Sequence, residues 1–128
     1  MEVEEYFAQI KAVVDNYAAA SFVLSANVTF ETRPGDQGFL VGIVQFVDGS
    51  EMHFRGYLDV VYEDVEKVMY SYHYQDARGI MVFRYDNAAH RPTIAVLGHR
   101  HDSSGAKPTE TPNLERVLAE LVEMQHWI

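Results

Sequence analysis

Tyr70-Ser71-Tyr72-His73-Tyr74-Gln75-Asp76, a break at Ala77-Arg78-Gly79, then Phe83-Arg84-Tyr85-Asp86-Asn87-Ala88-Ala89-His90 is the stretch on which the fold turns. Aromatic residues fall on every second position of both runs, the period of a strand with one buried face. Asp76 to Gly79 supplies the turn residues between them, so Val68–Gln75 and Ile80–Asp86 read as an antiparallel hairpin. A turn without a bulge sets Tyr74 opposite Met81, Tyr72 opposite Phe83 and Tyr70 opposite Tyr85, all on one face. Ser71, His73, Val82, Arg84 and Asp86 then share the other face.

The stretch continues to His99-Arg100-His101 and holds four of the six histidines. Between residues 70 and 101 four arginines stand against two aspartates, a balance of +2 in a chain whose net charge is −9, so the remainder carries −11. A mildly basic, histidine-rich segment thus sits in an acidic body. Such a body argues against coating nucleic acid broadly, which depends on lysine and arginine neutralising phosphates, but permits a local anion site.

Upstream of the hairpin, Val3, Tyr6, Phe7, Ile10, Val13, Val14 and Tyr17 recur at steps of three and four, which predicts a helix over 1–20 with one apolar stripe. Glu2, Glu4 and Glu5 suit its amino end electrostatically and replace the basic flank of a secretory signal. From Ser21 the period becomes two. Phe22, Leu24, Ala26, Val28 and Phe30 face one way, Pro34 to Gly38 makes a turn, and Phe39–Val47 follows as a second strand. Asp48-Gly49 is a hairpin signal, and Glu51–Tyr62 is a third alternating strand. On it His53 and Arg55 face away from the apolar set, as solvent-facing or cross-strand partners. Glu63 to Lys67 reads as a polar connection.

Downstream, Asn87 to Pro92 reads as a loop and Thr93–Leu97 as a last edge strand. Residues 98–110 read as loop, placing His99 and His101, with His90, at the rim of the sheet. Thr111-Pro112 has the residues of a helix start, and Leu114, Val117, Leu118, Leu121 and Val122 form the stripe of a helix over 111–128. The expectation is an α+β domain spanning 1–128: an antiparallel meander of five to six strands over 21–97, flanked by an N-terminal and a C-terminal helix. A chain of 128 residues without cysteine folds without disulfides and offers no thiolate for catalysis or zinc. No apolar run approaches the ~20 residues of a membrane span. These features point to the cytoplasm.

The Tyr70–Asp76 run, the turn and the Phe83–His90 run resemble the TumE-type toxins of type II toxin–antitoxin modules. Asp48-Gly49-Ser50, the histidine cluster at 99–101 and the short C-terminal helix are also similar, so the resemblance covers roughly residues 20–125. It implies a toxin partnered by an antitoxin with a helix-turn-helix DNA-binding domain.

Cleaving RNA without metal or other cofactor requires a base for the 2′-hydroxyl, an acid for the departing 5′ oxygen and a cation for the phosphorane. Histidine titrates near neutrality and arginine's planar fork matches phosphate. Candidates are His90, His99 and His101 for proton transfer, Arg84 or Arg100 for the phosphate, and Asp86 to orient either. Tyr72 or Tyr85 could stack on a base of single-stranded RNA, with His73 and Asn87 beside the substrate. Tyrosines at strand spacing are more often a core face with wet hydroxyl tips than a binding platform, which assigns this face to packing. Two alternatives use the same residues: a non-catalytic module binding a protein partner or a second copy, and a metal site built from His90, His99 and His101.

Overall fold

The computed structural model describes residues 1–88 and 98–127. Helix α1 (Val3–Ala18) places Val3, Phe7, Ile10 and Val14 on one buried stripe, with Glu4 and Glu5 in its first turn. Seven strands follow: β1 (Val23–Arg33), β2 (Gln37–Phe46), β3 (Glu51–Val61), β4 (Asp64–Gln75), β5 (Met81–Asp86), β6 (Gly98–Asp102) and β7 (Gly105–Thr109). Helix α2 (Leu114–Met124) closes the order. The strands form one antiparallel sheet in which sequence order is spatial order, β1 to β7. The α+β meander flanked by two helices is therefore observed, with seven strands among the described residues rather than five to six.

Much of the difference lies at 98–110, read from sequence as a loop. It forms the β6–β7 hairpin, with Asp102 paired to Gly105 across a two-residue turn. Asp102 Oδ1 accepts hydrogen bonds from the Ser104 amide at 2.9 Å and hydroxyl at 2.6 Å, while Gly105 takes a φ of +114°. The Ser-Ser-Gly signal marks that turn alone, and strands begin on either side of it. The polar residues expected to connect the third strand to the hairpin likewise become strand. Tyr62 and Glu63 alone make that turn, both with positive φ, and β4 starts at Asp64. The expected loop at Asn87 to Pro92 and strand at Thr93–Leu97 fall mainly or wholly outside the described residues.

The tyrosine hairpin pairs in a different register from the bulge-free one. Tyr74 opposes Phe83, Tyr72 opposes Tyr85, His73 opposes Arg84 and Ser71 opposes Asp86, with an irregularity between Tyr74 and Gln75 that absorbs one residue of β5. From Phe83 to Asp86 the faces nevertheless hold, because the shift there is by an even number. Met81, expected opposite Tyr74, instead pairs with Gln75 and is exposed, and Val82, expected on the other face, packs against the core. A bulge at Val23/Ser25 acts similarly in β1, where Leu24 is left 69% exposed instead of joining the core set. At the last helix the cap is Asn113 rather than Thr111. Its Oδ1 accepts from the Arg116 amide at 2.8 Å, and Pro112 precedes the helix.

Both helices pack on the same side of the sheet. Val3, Phe7, Ile10 and Val14 of α1 and Leu114, Leu118, Leu121 and Val122 of α2 share one core with Leu40, Phe54, Leu58, Tyr70, Tyr72, Tyr74 and Phe83. Gly98 opens β6 because a side chain there would collide with the Tyr70 hydroxyl. The opposite face of the sheet carries no helix among the described residues. That leaves every second residue of β3 to β6 looking outward.

Candidate functional site on the open sheet face

Two registered rows cross the open face. One runs His53, His73, Arg84, His101 over β3, β4, β5 and β6; the next runs Arg55, Ser71, Asp86, His99 over the same strands. Four histidines and two arginines thereby meet on one surface, though the outermost, His53 and His101, are 48 residues apart in the chain. Strand parity puts them there: each is an odd step from the aromatic residues that the core takes.

A chain of polar contacts ties part of the first row to the second. Arg84 Nε donates to Asp86 Oδ2 at 2.7 Å, and Arg84 Nη1 lies 3.3 Å from His73 Nδ1. Asp86 Oδ1 faces His101 Nε2 at 3.4 Å. Burial works to raise the pKa of Asp86, but the hydrogen bond from Arg84 and the charges of His101 and Arg84 outweigh it and hold the carboxyl below its usual range. Asp86 and Ser71 are buried despite facing outward. For His73, burial first and the Arg84 charge second push the pKa below the ordinary histidine value. A cavity of about 350 Å³ opens beside this row, lined by His53, Arg55, Ser71, His73, Gln75 and Arg84 among others.

Three of the residues singled out from sequence lie on the opposite, helix-covered side. Tyr72 is buried, its hydroxyl accepting from Lys67 Nζ at 2.7 Å. Tyr85 donates its hydroxyl proton to Glu120 and accepts from Arg100 Nε at 3.1 Å. Arg100 also pairs with Glu120, at 2.6 Å, and with Asp102, and its guanidinium lies over the Phe83 and Tyr85 rings. These groups brace β5 and β6 against α2. Asn87 uses its amide like a peptide group, accepting from the Tyr70 amide and donating to the Val68 carbonyl, both at 3.0 Å. It extends the β4–β5 ladder one step past Asp86.

His99 and His101 stand on β6 rather than on a rim loop, side by side with ring centroids 6.1 Å apart. His90 lies outside the described residues. Among the described residues no group of three His, Asp or Glu side chains is arranged to hold a metal ion. Among the described residues no helix is long and apolar enough to cross a membrane.

A family model described as Toxin TumE matches residues 10–128. The chain belongs to the TumE toxin family. No curated protein and no solved structure matches it. Membership gives this TumE chain the place of the toxin in a toxin–antitoxin system, with an antitoxin as its partner. The match takes in every strand and α2, so both rows of the open face belong to the TumE region. The contribution of His53 and Arg55 to the open face of this TumE chain is easily missed from sequence. Their alternation with Met52, Phe54 and Leu58 reads as plain solvent exposure, and only the pairing of β3 with β4 sets them beside His73 and Ser71. The signal that could have found them is their shared parity with His73 across one registered hairpin.

Proposed function

We propose that this TumE toxin is a small metal-independent endoribonuclease of the cytoplasm whose site is the open sheet face. The observation that carries the reading is the row His73–Arg84–His101, a cation held between two imidazoles on adjacent strands. Two strand spacings separate the histidines, roughly 10 Å at Cα. That leaves room for a phosphodiester over Arg84, with one imidazole on either side of the phosphorus, as in-line displacement requires.

His73, whose pKa burial and Arg84 depress, takes the proton of the 2′-hydroxyl on Nδ1, the nitrogen that faces Arg84, as Arg84 Nη1 turns from it to the phosphate. The 2′ oxygen then bonds to phosphorus as the bond to the 5′ oxygen breaks, leaving a 2′,3′-cyclic phosphate. His101, facing Asp86, delivers a proton to the departing 5′ oxygen. Arg84 answers the charge that builds on the phosphorane, and Asp86 fixes the orientation of both Arg84 and His101. His99, beside His101, and His90 remain alternates for the acid. Tyr72, Tyr85 and Arg100 act behind the sheet as its support. The antitoxin, a helix-turn-helix protein in this reading, silences the toxin by covering the face.

Expression of the wild type should arrest growth, and purified protein should cleave single-stranded RNA in EDTA. His73→Ala and His101→Ala should each lower the cleavage rate by about 10²-fold or more, the usual contribution of a proton-transfer group, with melting temperature unchanged. Full cleavage in both variants would remove the row from the mechanism. Growth arrest without any RNA cleavage would favour a binding module that uses the same face.

A further inference from the structure

The cavity beside the row has a charge that the rest of the molecule does not share. In a protein of net charge −9, none of its lining residues is acidic, and two arginines and two histidines are among them. The two arginines differ. Arg84 is fixed in the row, its Nε on Asp86 at 2.7 Å and its Nη1 toward His73, and its remaining N–H groups belong to the reacting phosphate. Arg55 is exposed and meets no carboxylate within ion-pair distance among the described residues. Its registered neighbour on β4 is Ser71, a hydroxyl held on the same face, and His53 and His73 lie one row away.

An unanswered guanidinium beside a hydroxyl, with imidazoles next to both, is a donor set for a tetrahedral oxyanion. The cavity, about 350 Å³, is large enough for more than the anion itself. It lies at the low end of the ~300–1,000 Å³ range of small-molecule sites. His53 Nε2 meets Glu51 Oε1 at 3.0 Å, which leaves its other ring nitrogen and the amide of Gln75, at the end of the cavity away from Ser71, for a planar group attached to that anion.

We infer that this cavity is a phosphate-ester subsite, sized for one nucleotide unit, in which Arg55 binds the phosphate and Ser71 assists it. Only the identification of the ligand as part of an RNA chain rests on the ribonuclease reading. In that reading Arg55 holds a phosphate next to the one being cleaved. It contributes binding that is equal in ground state and transition state, whereas Arg84 acts at the reacting phosphorus.

The test uses the whole protein with inorganic phosphate, adenosine 5′-monophosphate and adenosine as probes, followed by NMR or calorimetry. The monophosphate should bind at least tenfold more tightly than adenosine, and inorganic phosphate should compete with it. Arg55→Ala should weaken the monophosphate by about tenfold and Arg55→Lys by less, both with unchanged melting temperature; Lys107→Ala, on β7 outside the cavity, should change nothing. On an RNA substrate, Arg55→Ala should raise KM with little change in kcat and reduce the salt slope of binding by about one. Equal binding of the monophosphate by wild type and Arg55→Ala, or equal binding of adenosine and its monophosphate, overturns the subsite. Arg55-dependent phosphate binding in a protein that cleaves no RNA upholds the subsite while the ribonuclease reading falls. Cleavage with KM untouched by Arg55→Ala does the reverse.

Discussion

His73 shows how a side chain gains chemistry from its neighbours. It sits on a strand whose alternate residues, Tyr70, Tyr72 and Tyr74, are buried, and it faces Arg84 across the hairpin. Burial disfavours the imidazolium, and the Arg84 cation, with Nη1 3.3 Å from Nδ1, disfavours it further. An NMR titration of the His73 ring should therefore show a midpoint below the ordinary ~6.5. Arg84→Gln removes the cation and should move that midpoint up, with the part due to burial retained. A midpoint that does not rise would mean Arg84 does not act on His73. The residue types of this site were legible in the sequence, since His73, Arg84, Asp86, His99 and His101 all attract notice as chemistry-bearing groups in one stretch. Their sorting was less so. Arg100, between two outward histidines, points by strand parity to the other side, where Glu120 of a distant helix claims it. Nothing local to Arg100 announces Glu120, and the polar pattern of 98–110 offers no strand parity to apply.

At the scale of the elements, period-two patterning and the Asp48-Gly49 and Asp76–Gly79 turns were enough to define the meander, because each strand pairs with its sequence neighbour. The β6–β7 hairpin escaped because five-residue strands of Gly-His-Arg-His-Asp and Gly-Ala-Lys-Pro-Thr have no apolar alternation to read. How the helices attach to the sheet was also not visible, and Lys67 is one such joint. Its ammonium donates to Tyr72 Oη on β4 and to the carbonyl of Pro112 before α2, both at 2.7 Å. Burial lowers its pKa to about 8. The unfolded chain keeps that proton up to about 10.4, so between these values the unfolded state binds more protons and stability rises with pH. Relative to Lys67→Met, the wild type should gain roughly 2 kcal/mol from pH 7 to pH 9.5, at about 1.4 kcal/mol per unit of pKa difference. Parallel denaturant titrations of the two proteins at both pH values measure it. Equal pH dependence would mean that Lys67 is solvated as an ordinary surface lysine.

For the whole molecule, the decisive property of an open meander is that it has two edges, and here they are unlike. β7 is five residues long and carries Lys107 and Pro108, features that discourage a further strand from adding. β1 is eleven residues long with neither lysine nor proline, and among the described residues nothing pairs with its outer side. Its bulge lies at the Val23 end, leaving Ser25 to Arg33 in regular ladder with β2. Two copies of such a strand can meet antiparallel about a two-fold axis, satisfying both rows of unpaired backbone groups and setting threonine and β-branched side chains against one another. The toxin should accordingly form a homodimer through β1 in the absence of its antitoxin, with the open face of each copy left accessible. The double substitution Asn27→Lys/Thr29→Lys puts four like charges at that seam and should shift the protein to monomer in sedimentation at ~10 μM, with the fold intact because both side chains already face solvent or the sheet margin. Replacing Lys107 and Pro108 by alanine should leave the wild-type assembly as it was. A wild type that sediments as a monomer, or a double variant that stays dimeric, would show that β1 is not the joining edge. Under the proposed ribonuclease function, the cleavage rate per chain should be the same in monomer and dimer, since the row His73–Arg84–His101 lies three to five strands away from β1 and is complete within one copy.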